Sequence, residues 1–389
     1  MLIKSLSLKD FKCFEQVDID FGKITLLTGA NSSGKSSLIY ALLGIMQSKY
    51  FPQYFALNGE LINMGGFDEV LRKKAEKREF EIGIVCKNPG MVNPKHIDRI
   101  NTKWIEEIDS QQPELTYFKD DKGVIYQDDD GLAFIDINTS SSIYWMFKPN
   151  EVEDFIKKNP LIKASLVENN ISGQSSIYHL QGKSTDSLKD FIKQSNFHGG
   201  FLNEISFIDI NFFNYIGSFR LPPERTYYRK PSANTIGVNG EGYIDQIIEW
   251  EESDKVKYNE LIEAITEMGL FKTIRANKMK GGRFELNVQV NENSELASLT
   301  DVGFGISQFL PIIVADLQMG DDSCLAISQP EIHLHPKIQA TLGDYFSKQV
   351  NNTDKQYIVE THSEYLINRM RLLIVKGELK PEDVKLYYM

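Results

Sequence analysis

The feature that most constrains the fold of this chain is the nine-residue stretch GANSSGKSS, residues 29–37. It satisfies the pattern G-x-x-x-x-G-K-[ST], directly after the apolar run KITLLTG and directly before the helical pattern SSLIYALLGIMQ. Glycines let backbone N–H groups turn toward an anion, and a helix N-terminus adds partial positive charge. A strand, a glycine-bearing loop and a helix in this order predict a phosphate-binding loop, with a plain glycine turn as the alternative.

Within this loop, single residues have predictable roles. Lys35 is placed to reach the outer phosphates of a nucleotide, and the Ser36 hydroxyl can bind magnesium. The loop therefore predicts a nucleotide as the ligand and Mg²⁺ as its cofactor. The predicted nucleotide-binding residues of the loop are Gly29, Asn31, Ser32, Ser33, Gly34, Lys35, Ser36 and Ser37.

Composition sets limits on the class of protein. With 389 residues, of which 41% are hydrophobic and 25% charged, the chain can bury a sizeable core and has room for two or three domains. The net charge of -11 argues against a protein coated in nucleic acid, although a local basic groove is compatible with it. Three widely separated cysteines predict buried thiols rather than a disulfide framework or a thiolate metal cluster.

The sequence also bears on location. It has no run of about 18 apolar residues, the length that suits a transmembrane helix. The first residues, MLIKSLSLKDFKCF, lack the basic, apolar and small-residue order of a signal peptide. We therefore expect no membrane contact and a cytoplasmic location.

The order of predicted elements indicates an α/β core interrupted by an insertion. The last 90 residues alternate helical patterns with short buried strands, which is typical of a layered α/β sheet. Residues 91–204 differ: strand-like runs with Asp-Gly and Lys-Gly turns are followed by helical patterns at 150–168 and 186–194. We predict a core split between residues 1–90 and 205–389, with an inserted α+β module at 91–204.

Two further buried strands end in residues suited to phosphate chemistry. A nucleotide fold of this kind needs acidic residues at the end of a second strand, and CLAISQPEIHLHP is the candidate. It has Ser328 and Gln329 where two acids are expected. The strand in QYIVETHSEYL ends near His362, which can hydrogen-bond a γ-phosphate or an attacking water. A histidine that only caps a strand is the alternative.

The chain resembles the ABC-type ATPases of the SMC, RecF and OLD branch, and within it the AAA family ATPases of bacterial anti-phage defence systems. The resemblance rests on the phosphate loop, on YIGSFRLPPERTYY with VNGEG, on LTDVGFGISQFLPII, and on QPEIHLHP followed by ETHSE. It covers both ends of the chain and matches the central insertion poorly. The fold that it implies is α/β, a P-loop NTPase of the ABC-ATPase head type with a mixed sheet.

The resemblance assigns roles by position. Residues 300–308, TDVGFGISQ, stand where the ABC signature loop stands, so Gly303, Gly305, Ser307 and Gln308 would hold the nucleotide of a second copy. ATP would then join two heads in a homodimer or a higher even-numbered assembly.

At the catalytic positions, the resemblance gives each residue a predicted function. Ser328 occupies the metal position beside Ser36, Gln329 the general-base position, and His362 the position of the switch histidine. Glutamine can orient a water but cannot accept its proton, and general-base catalysis is typically worth about 10²- to 10⁴-fold. We therefore expect slow hydrolysis, with Glu331 or Glu360 as substitute acids.

A role in anti-phage defence follows from the resemblance alone, as a sensor or scaffold for a separately encoded effector, a nuclease or a toxin. No acidic cluster of the TOPRIM type follows the ATPase motifs. The alternatives are a RecF-like DNA-repair ATPase and a structural module that does not hydrolyse ATP. A zinc site built from Glu331, His333, His335 and His362 is a weaker alternative.

Two basic groups complete the candidates. An expected hairpin before the signature loop carries a cluster that could contact DNA directly or form a solvated face. Its members are Lys272, Arg275, Lys278, Lys280 and Arg283. Arg220 and Arg225 flank two prolines and could reach a phosphate, contact a partner or fix their own loop.

Overall fold

A computed structural model describes most of the chain outside its central region. The described residues are 2–48, 51, 54–87, 97–107, 111–119, 123–128, 131–136, 142–147, 166–171, 175–181, 212–231 and 234–389. The chain divides into two compact units. Unit 1 comprises Met1–Leu2, Asp20–Ile39 and Asp209–Met389, and unit 2 comprises Ile3–Ile19 and Tyr40–Ile208.

The elements are numbered in chain order. The strands are β1 (Leu2–Phe11), β2 (Phe14–Asp20), β3 (Ile24–Thr28), β4 (Glu79–Lys87), β5 (Ile97–Glu106), β6 (Pro113–Lys119), β7 (Gly123–Asp128), β8 (Gly131–Asp136), β9 (Ser142–Phe147), β10 (Leu166–Ile171), β11 (Ser175–Gln181), β12 (Phe213–Ile216), β13 (Tyr227–Tyr228), β14 (Thr273–Lys278), β15 (Arg283–Gln289), β16 (Ala297–Ser298), β17 (Cys324–Ser328), β18 (Gln356–Glu360) and β19 (Val384–Tyr388). The helices are α1 (Lys35–Gln47), α2 (Phe67–Val70), α3 (Tyr243–Ser253), α4 (Lys255–Glu267), α5 (Phe304–Gln318), α6 (Pro336–Asn352) and α7 (Glu364–Val375).

The centre of unit 1 is a parallel five-stranded sheet in the order β12-β17-β18-β3-β19. Strands β17, β18 and β3 are buried at every residue, as expected for parallel strands covered on both faces. The predicted buried strands at KITLLTG, CLAIS and QYIVETH are thus confirmed. A smaller antiparallel sheet of β13, β15, β14 and β16 belongs to the same unit.

Helix α5 is the most buried helix segment around this sheet, with Phe309, Leu310 and Ile312 fully covered. Its one acid, Asp316, is also fully buried and accepts hydrogen bonds from the hydroxyls of Tyr345 at 2.5 Å and Tyr357 at 2.7 Å. Burial and the adjacent carboxylate raise the pKa of both tyrosines well above the ordinary value. The network ties the end of α5 to α6 and to the start of β18.

Unit 2 contains a ten-stranded sheet in the order β10-β11-β9-β8-β7-β6-β5-β4-β1-β2. The pairs from β4 to β11 are antiparallel. Buried aromatic side chains pack beneath β1 and β4, with ring centroids 5.7 Å apart for Phe11 and Phe80 and 5.7 Å apart for Phe55 and Trp104. Such offset and edge contacts are favourable between aromatic rings.

Strand pairing divides the chain differently from the predicted segments 1–90, 91–204 and 205–389. Strands β1, β2 and β4 lie before residue 91, yet they join the sheet that β5 to β11 form. Local patterns specify a strand but not its partner, so the break at residue 91 falls inside one sheet. The last residues of the helix expected at 150–168 belong instead to strand β10, which begins at Leu166. The rest of that segment and the helix expected at 186–194 lie outside the described residues.

The burial predicted for the three cysteines is confirmed for two of them. Cys86 and Cys324 are buried as expected, but Cys13 is exposed because it lies in the turn between β1 and β2. Burial raises the pKa of the Cys324 thiol to about 12. No helix in the described part of the chain is long and apolar enough to cross a membrane.

Candidate functional site

The candidate site lies at one edge of the parallel sheet of unit 1. Strands β17, β18 and β3 are neighbours and run in the same direction, so their carboxyl ends meet at one edge. In the register, Ser328 is opposite Glu360, and Glu360 is opposite Leu27. The glycine loop, the SQPE turn (residues 328–331) and the ETHSE turn (residues 360–364) therefore begin side by side. Ligands bind at this edge in open α/β sheets.

The glycine loop has the backbone of a tight phosphate-binding turn. Gly29, Ser32 and Gly34 have positive φ values of 132°, 61° and 109°. A Cβ atom at Gly29 would lie 2.0 Å from the carbonyl oxygen of Met389, so this position requires glycine. The loop ends where α1 begins at Lys35, which brings the partial positive charge of the helix N-terminus to the predicted phosphate position.

The structure brings Lys35 and Ser36 to the centre of the site. Lys35 is buried, and its Nζ donates to the carbonyl oxygens of Gly29 at 3.2 Å and Ala30 at 2.5 Å. The hydroxyl of Ser36 points to the neighbouring strand and donates to Oε1 of Glu360 at 2.8 Å. Asn31 and Ser32 are exposed, and Ser33 and Ser37 are half-buried.

Glu360 is the residue on which the site converges. It is 5% exposed and ends β18. Its Oε2 accepts a hydrogen bond from the hydroxyl of Ser328 at 3.1 Å, while Oε1 accepts from Ser36. The Ser328 hydroxyl lies 3.1 Å from that of Tyr215, which fixes it from the other side. Both predicted metal residues, Ser36 and Ser328, therefore contact one buried carboxylate.

These groups suit the cofactor that the sequence predicts. Magnesium prefers hard oxygen ligands and is usually held by one or two carboxylates together with substrate phosphates and water. A carboxylate between two hydroxyls, next to a glycine loop, provides such oxygens. Bound Mg²⁺ would supply positive charge to the phosphates of the nucleotide.

The other predicted catalytic residues form a second group beside the first. Glu331 is buried, and its Oε1 accepts a hydrogen bond from the backbone N–H of His362 at 2.6 Å. Its Oε2 is buried without a hydrogen-bond partner among the described residues. Gln329 is half-buried with a φ of 49°, and the His362 side chain is exposed.

Arg220 fixes the backbone around this group. Its guanidinium is buried and donates to the carbonyl oxygens of Ser328 at 2.7 Å, Gln329 at 3.0 Å, Gly217 at 3.0 Å and Gln308 at 3.4 Å. Burial lowers the pKa of Arg220 to about 10, while the charge of Glu331 opposes that shift. Of the roles considered for Arg220, its contacts support the fixing of its own loop.

The predicted signature loop contacts the segment that follows the SQPE turn. A Cβ atom at Gly305 would lie 2.1 Å from the carbonyl oxygen of His333, so the first turn of α5 packs directly on the residues that follow the SQPE turn. Ser307 and Gln308 are buried, and the Gln308 amide donates to the carbonyl oxygen of Leu221 at 3.1 Å. Gly303 is exposed, and a Cβ there would meet nothing within 4 Å. Among the loop residues whose burial the structure describes, Asp301 and Gly303 are exposed, so the start of the loop faces outward.

Arg225 and the basic hairpin lie outside this centre. Arg225 forms a two-bond ion pair with Asp301, at 2.7 and 3.1 Å. In the hairpin of β14 and β15, Lys272 lies 3.4 Å from Glu292, and Arg283 donates to the Tyr228 hydroxyl at 2.9 Å. All five predicted basic residues are exposed.

The zinc alternative finds no support in the geometry. Within the described ranges, no three histidine, cysteine, aspartate or glutamate side chains come together as a metal-binding group. Glu331 faces the backbone of His362, and His333 and His335 are exposed.

Glu360 is the site residue that sequence reasoning valued too little. The sequence suggests Glu360 only as a possible substitute acid. Its position in the site follows from the pairing of β17 with β18, which brings together Ser328 and Glu360, 32 positions apart in the sequence. Tyr215 carried no signal at all, since it is an apolar-type residue within a buried run.

Comparison with known proteins supports the phosphate-binding interpretation. Residues 1–367 match the AAA ATPase domain family. The chain belongs to this family. The match and the parallel sheet around the glycine loop confirm the predicted class of an α/β P-loop NTPase that binds ATP. No curated protein matches the sequence.

Many solved structures are similar to the chain, and SMC heads are among them. One is the SMC head bound to the C-terminal winged-helix domain of ScpA, with 13% identity, a TM-score of 0.49, and coverage of 95% of this chain and 92% of that one. The SMC head domain from Thermotoga maritima has 12% identity, a TM-score of 0.40 and coverage of 95% and 92%. The SMC head with an extended coiled coil, bound to the C-terminal domain of ScpA derived from Pyrococcus furiosus, has 12% identity, a TM-score of 0.43 and coverage of 95% and 91%.

Proposed function

We propose that the chain is an ABC-type ATPase head that binds Mg²⁺·ATP in loop 29–37, hydrolyses it slowly and assembles with a second copy around the nucleotide. One observation carries the proposal: Lys35 is buried in the glycine loop, and the adjacent Ser36 donates a hydrogen bond to the buried carboxylate of Glu360 at the carboxyl edge of a parallel sheet. Cation, hydroxyl and carboxylate are the groups that P-loop NTPases use on phosphates and magnesium.

The residues at the SQPE turn account for slow hydrolysis. Gln329 can orient an attacking water by hydrogen bonding but cannot take its proton. Glu331 offers a buried oxygen that has no partner among the described residues and can accept a proton. Its other oxygen is engaged by the backbone of His362, which fixes the carboxylate. We assign the general-base role to Glu331, with Gln329 and His362 as groups that position water and phosphate.

The first test concerns nucleotide binding. Lys35→Ala removes the ammonium group that the P-loop directs to the outer phosphates, and a hydrogen bond to a charged group is worth about 1.5–3 kcal/mol. We expect the affinity for a fluorescent ATP analogue to fall at least about tenfold. Lys376→Ala is the matched control, because Lys376 is an exposed lysine at the end of α7.

Two results would contradict this proposal. Lys35→Ala that binds the analogue as tightly as the wild type would show that the loop does not hold the triphosphate. Equal phosphate release by the wild type and Lys35→Ala, with the oligomeric state unchanged by ATP, would instead support a structural module that does not hydrolyse ATP.

The biological part of the proposal is a cytoplasmic sensor or scaffold that controls a separately encoded nuclease or toxin in anti-phage defence. It is supported by the resemblance of the sequence motifs to defence ATPases. A neighbouring gene for a nuclease, a toxin or a reverse transcriptase would agree with it. We expect the plating efficiency of phage to be lower on cells that carry the locus, and to recover when that locus encodes Lys35→Ala.

The second candidate is a RecF-like ATPase that binds DNA directly. The exposed cations of the hairpin favour it, together with Tyr228, which is 62% exposed and lies under the Arg283 guanidinium. Exposed aromatic and basic side chains can stack on bases and neutralise phosphates. This function predicts ATP-dependent DNA affinity that falls steeply with salt. The double variant Lys278→Glu, Lys280→Glu should abolish it, and an ATP-dependent assembly without DNA affinity would exclude it.

A further inference from the structure

We propose that Glu360 supplies the carboxylate for the nucleotide-bound divalent cation, in place of the missing acid at position 328. The inference rests on the proposed function, since it concerns the cation that accompanies ATP. In this assignment, the metal-binding carboxylate lies at the end of β18 and not at the end of the neighbouring strand β17.

Strand register makes this exchange possible. Ser328 and Glu360 are opposite each other in parallel strands, so both side chains start from the same edge of the sheet. Glutamate is one methylene longer than aspartate and carries its oxygens farther from its own strand. The oxygens of Glu360 lie 3.1 Å from the Ser328 hydroxyl and 2.8 Å from the Ser36 hydroxyl. The carboxylate thus occupies the space between the phosphate loop and the strand that lacks an acid.

Charge supports the same assignment. A buried carboxylate is costly unless it is paired with a positive group or hydrogen-bonded. Glu360 is 5% exposed, and no lysine, arginine or histidine of the described residues lies within ion-pair distance of it. Its two described partners are neutral hydroxyls. A divalent cation held beside Ser36 would provide the missing positive charge, and nucleotide phosphates would complete its oxygen ligands.

Glu331 is the competing acid, and its surroundings give it a different role. Its carboxylate interacts with the buried guanidinium of Arg220, which already supplies a positive charge. One of its oxygens is held by the backbone N–H of His362 at 2.6 Å. Glu360 lacks such a cation and contacts the P-loop serine directly. Glu360 therefore binds the cation in this assignment, and Glu331 acts as the general base for the attacking water.

Ser328 becomes a positioning residue under this assignment. Its hydroxyl is engaged by the Tyr215 hydroxyl and donates to Glu360, so it orients the carboxylate rather than replacing it. Loss of such an outer hydrogen bond typically reduces metal affinity by about 10- to 100-fold. We expect Ser328→Ala to show a smaller loss than Glu360→Gln.

The test measures how much a metal tightens nucleotide binding, without reference to turnover. The affinity of a fluorescent ATP analogue is determined in EDTA and in saturating Mn²⁺, and the ratio of the two dissociation constants gives the contribution of the cation. Glu360→Gln keeps the shape of the side chain and removes its charge. We expect this ratio to fall at least about tenfold, while binding in EDTA remains as tight as in the wild type or tighter.

Two further variants make the result specific. Glu364→Gln changes an exposed acid four residues away, in the first turn of α7, and should leave the ratio unchanged. Adding Ser328→Asp to Glu360→Gln returns an acid to the edge of the sheet and should restore most of the ratio. This rescue would exclude simple misfolding as the cause of the loss.

The outcomes separate this inference from the function on which it rests. Wild-type protein that does not bind the analogue overturns both. Wild-type protein that binds it more tightly with Mn²⁺, together with Glu360→Gln that retains the full ratio, overturns only the assignment of Glu360. A ratio of dissociation constants that falls in Glu331→Gln but not in Glu360→Gln would also overturn the assignment of Glu360.

Discussion

At the residue scale, the most consequential single side chain outside the phosphate loop is Arg220. Its guanidinium donates to four backbone carbonyl groups, which lie just after β12, in α5 and in the SQPE turn. Removing a buried donor leaves its acceptors without partners, which costs about 1–3 kcal/mol for each group that water cannot reach. We expect Arg220→Ala to lower the free energy of unfolding by about 2–4 kcal/mol in urea denaturation.

The neighbouring arginine provides the control for that experiment. Arg225 forms a comparable two-bond contact with Asp301, but its side chain is 68% exposed. Exposed ion pairs are worth at most about 1 kcal/mol. Arg225→Ala should therefore change the urea midpoint little. Equal losses in the two variants would mean that the buried contacts of Arg220 do not contribute as its geometry indicates.

At the element scale, the two glycines of the predicted signature loop have opposite surroundings. Gly305 lies in the first turn of α5, and its missing Cβ makes room for the carbonyl oxygen of His333. Gly305→Ala forces backbone apart, and such overpacking typically costs about 1–3 kcal/mol. Gly303→Ala adds its methyl group to open space at a φ of -29°. We expect a lower melting temperature for Gly305→Ala only; equal melting temperatures would contradict the packing of α5 on this turn.

The same elements show what sequence could and could not predict. Periodicity and the glycine pattern were sufficient for β3, β17, β18 and the loop at residues 29–34, because each is specified by adjacent residues. The pairing of β17 with β18 is not local, so local patterns could not predict the contact between Ser328 and Glu360. The resemblance places the expected acid at the end of β17, where this chain has Ser328. The structure has an acid, Glu360, at the end of the neighbouring strand β18.

At the scale of the whole molecule, the limits of local reasoning are larger. The break predicted at residue 91 follows a change of character in the sequence, but β1, β2 and β4 precede it and join the ten-stranded sheet. Hydrogen bonding across a sheet connects segments that lie far apart along the chain. The glycine loop and the SQPE and ETHSE turns nevertheless fall together in unit 1, so the predicted site is contained in one compact unit.

Assembly around ATP is the last expectation at this scale. In the proposed dimer, Gly303 of one copy approaches the nucleotide of the other, and this glycine is exposed with open space around it. Light scattering should give the mass of one 44.5 kDa chain without nucleotide and twice that mass with Mg²⁺·ATP. Gly303→Trp should fold normally yet remain monomeric in ATP, because the indole occupies the space that the second head needs. Gly320→Trp is the matched control, since Gly320 follows the other end of α5 and is equally open. A mass that does not change with ATP, or a Gly303→Trp variant that dimerises as the wild type does, would exclude this loop as the dimer contact.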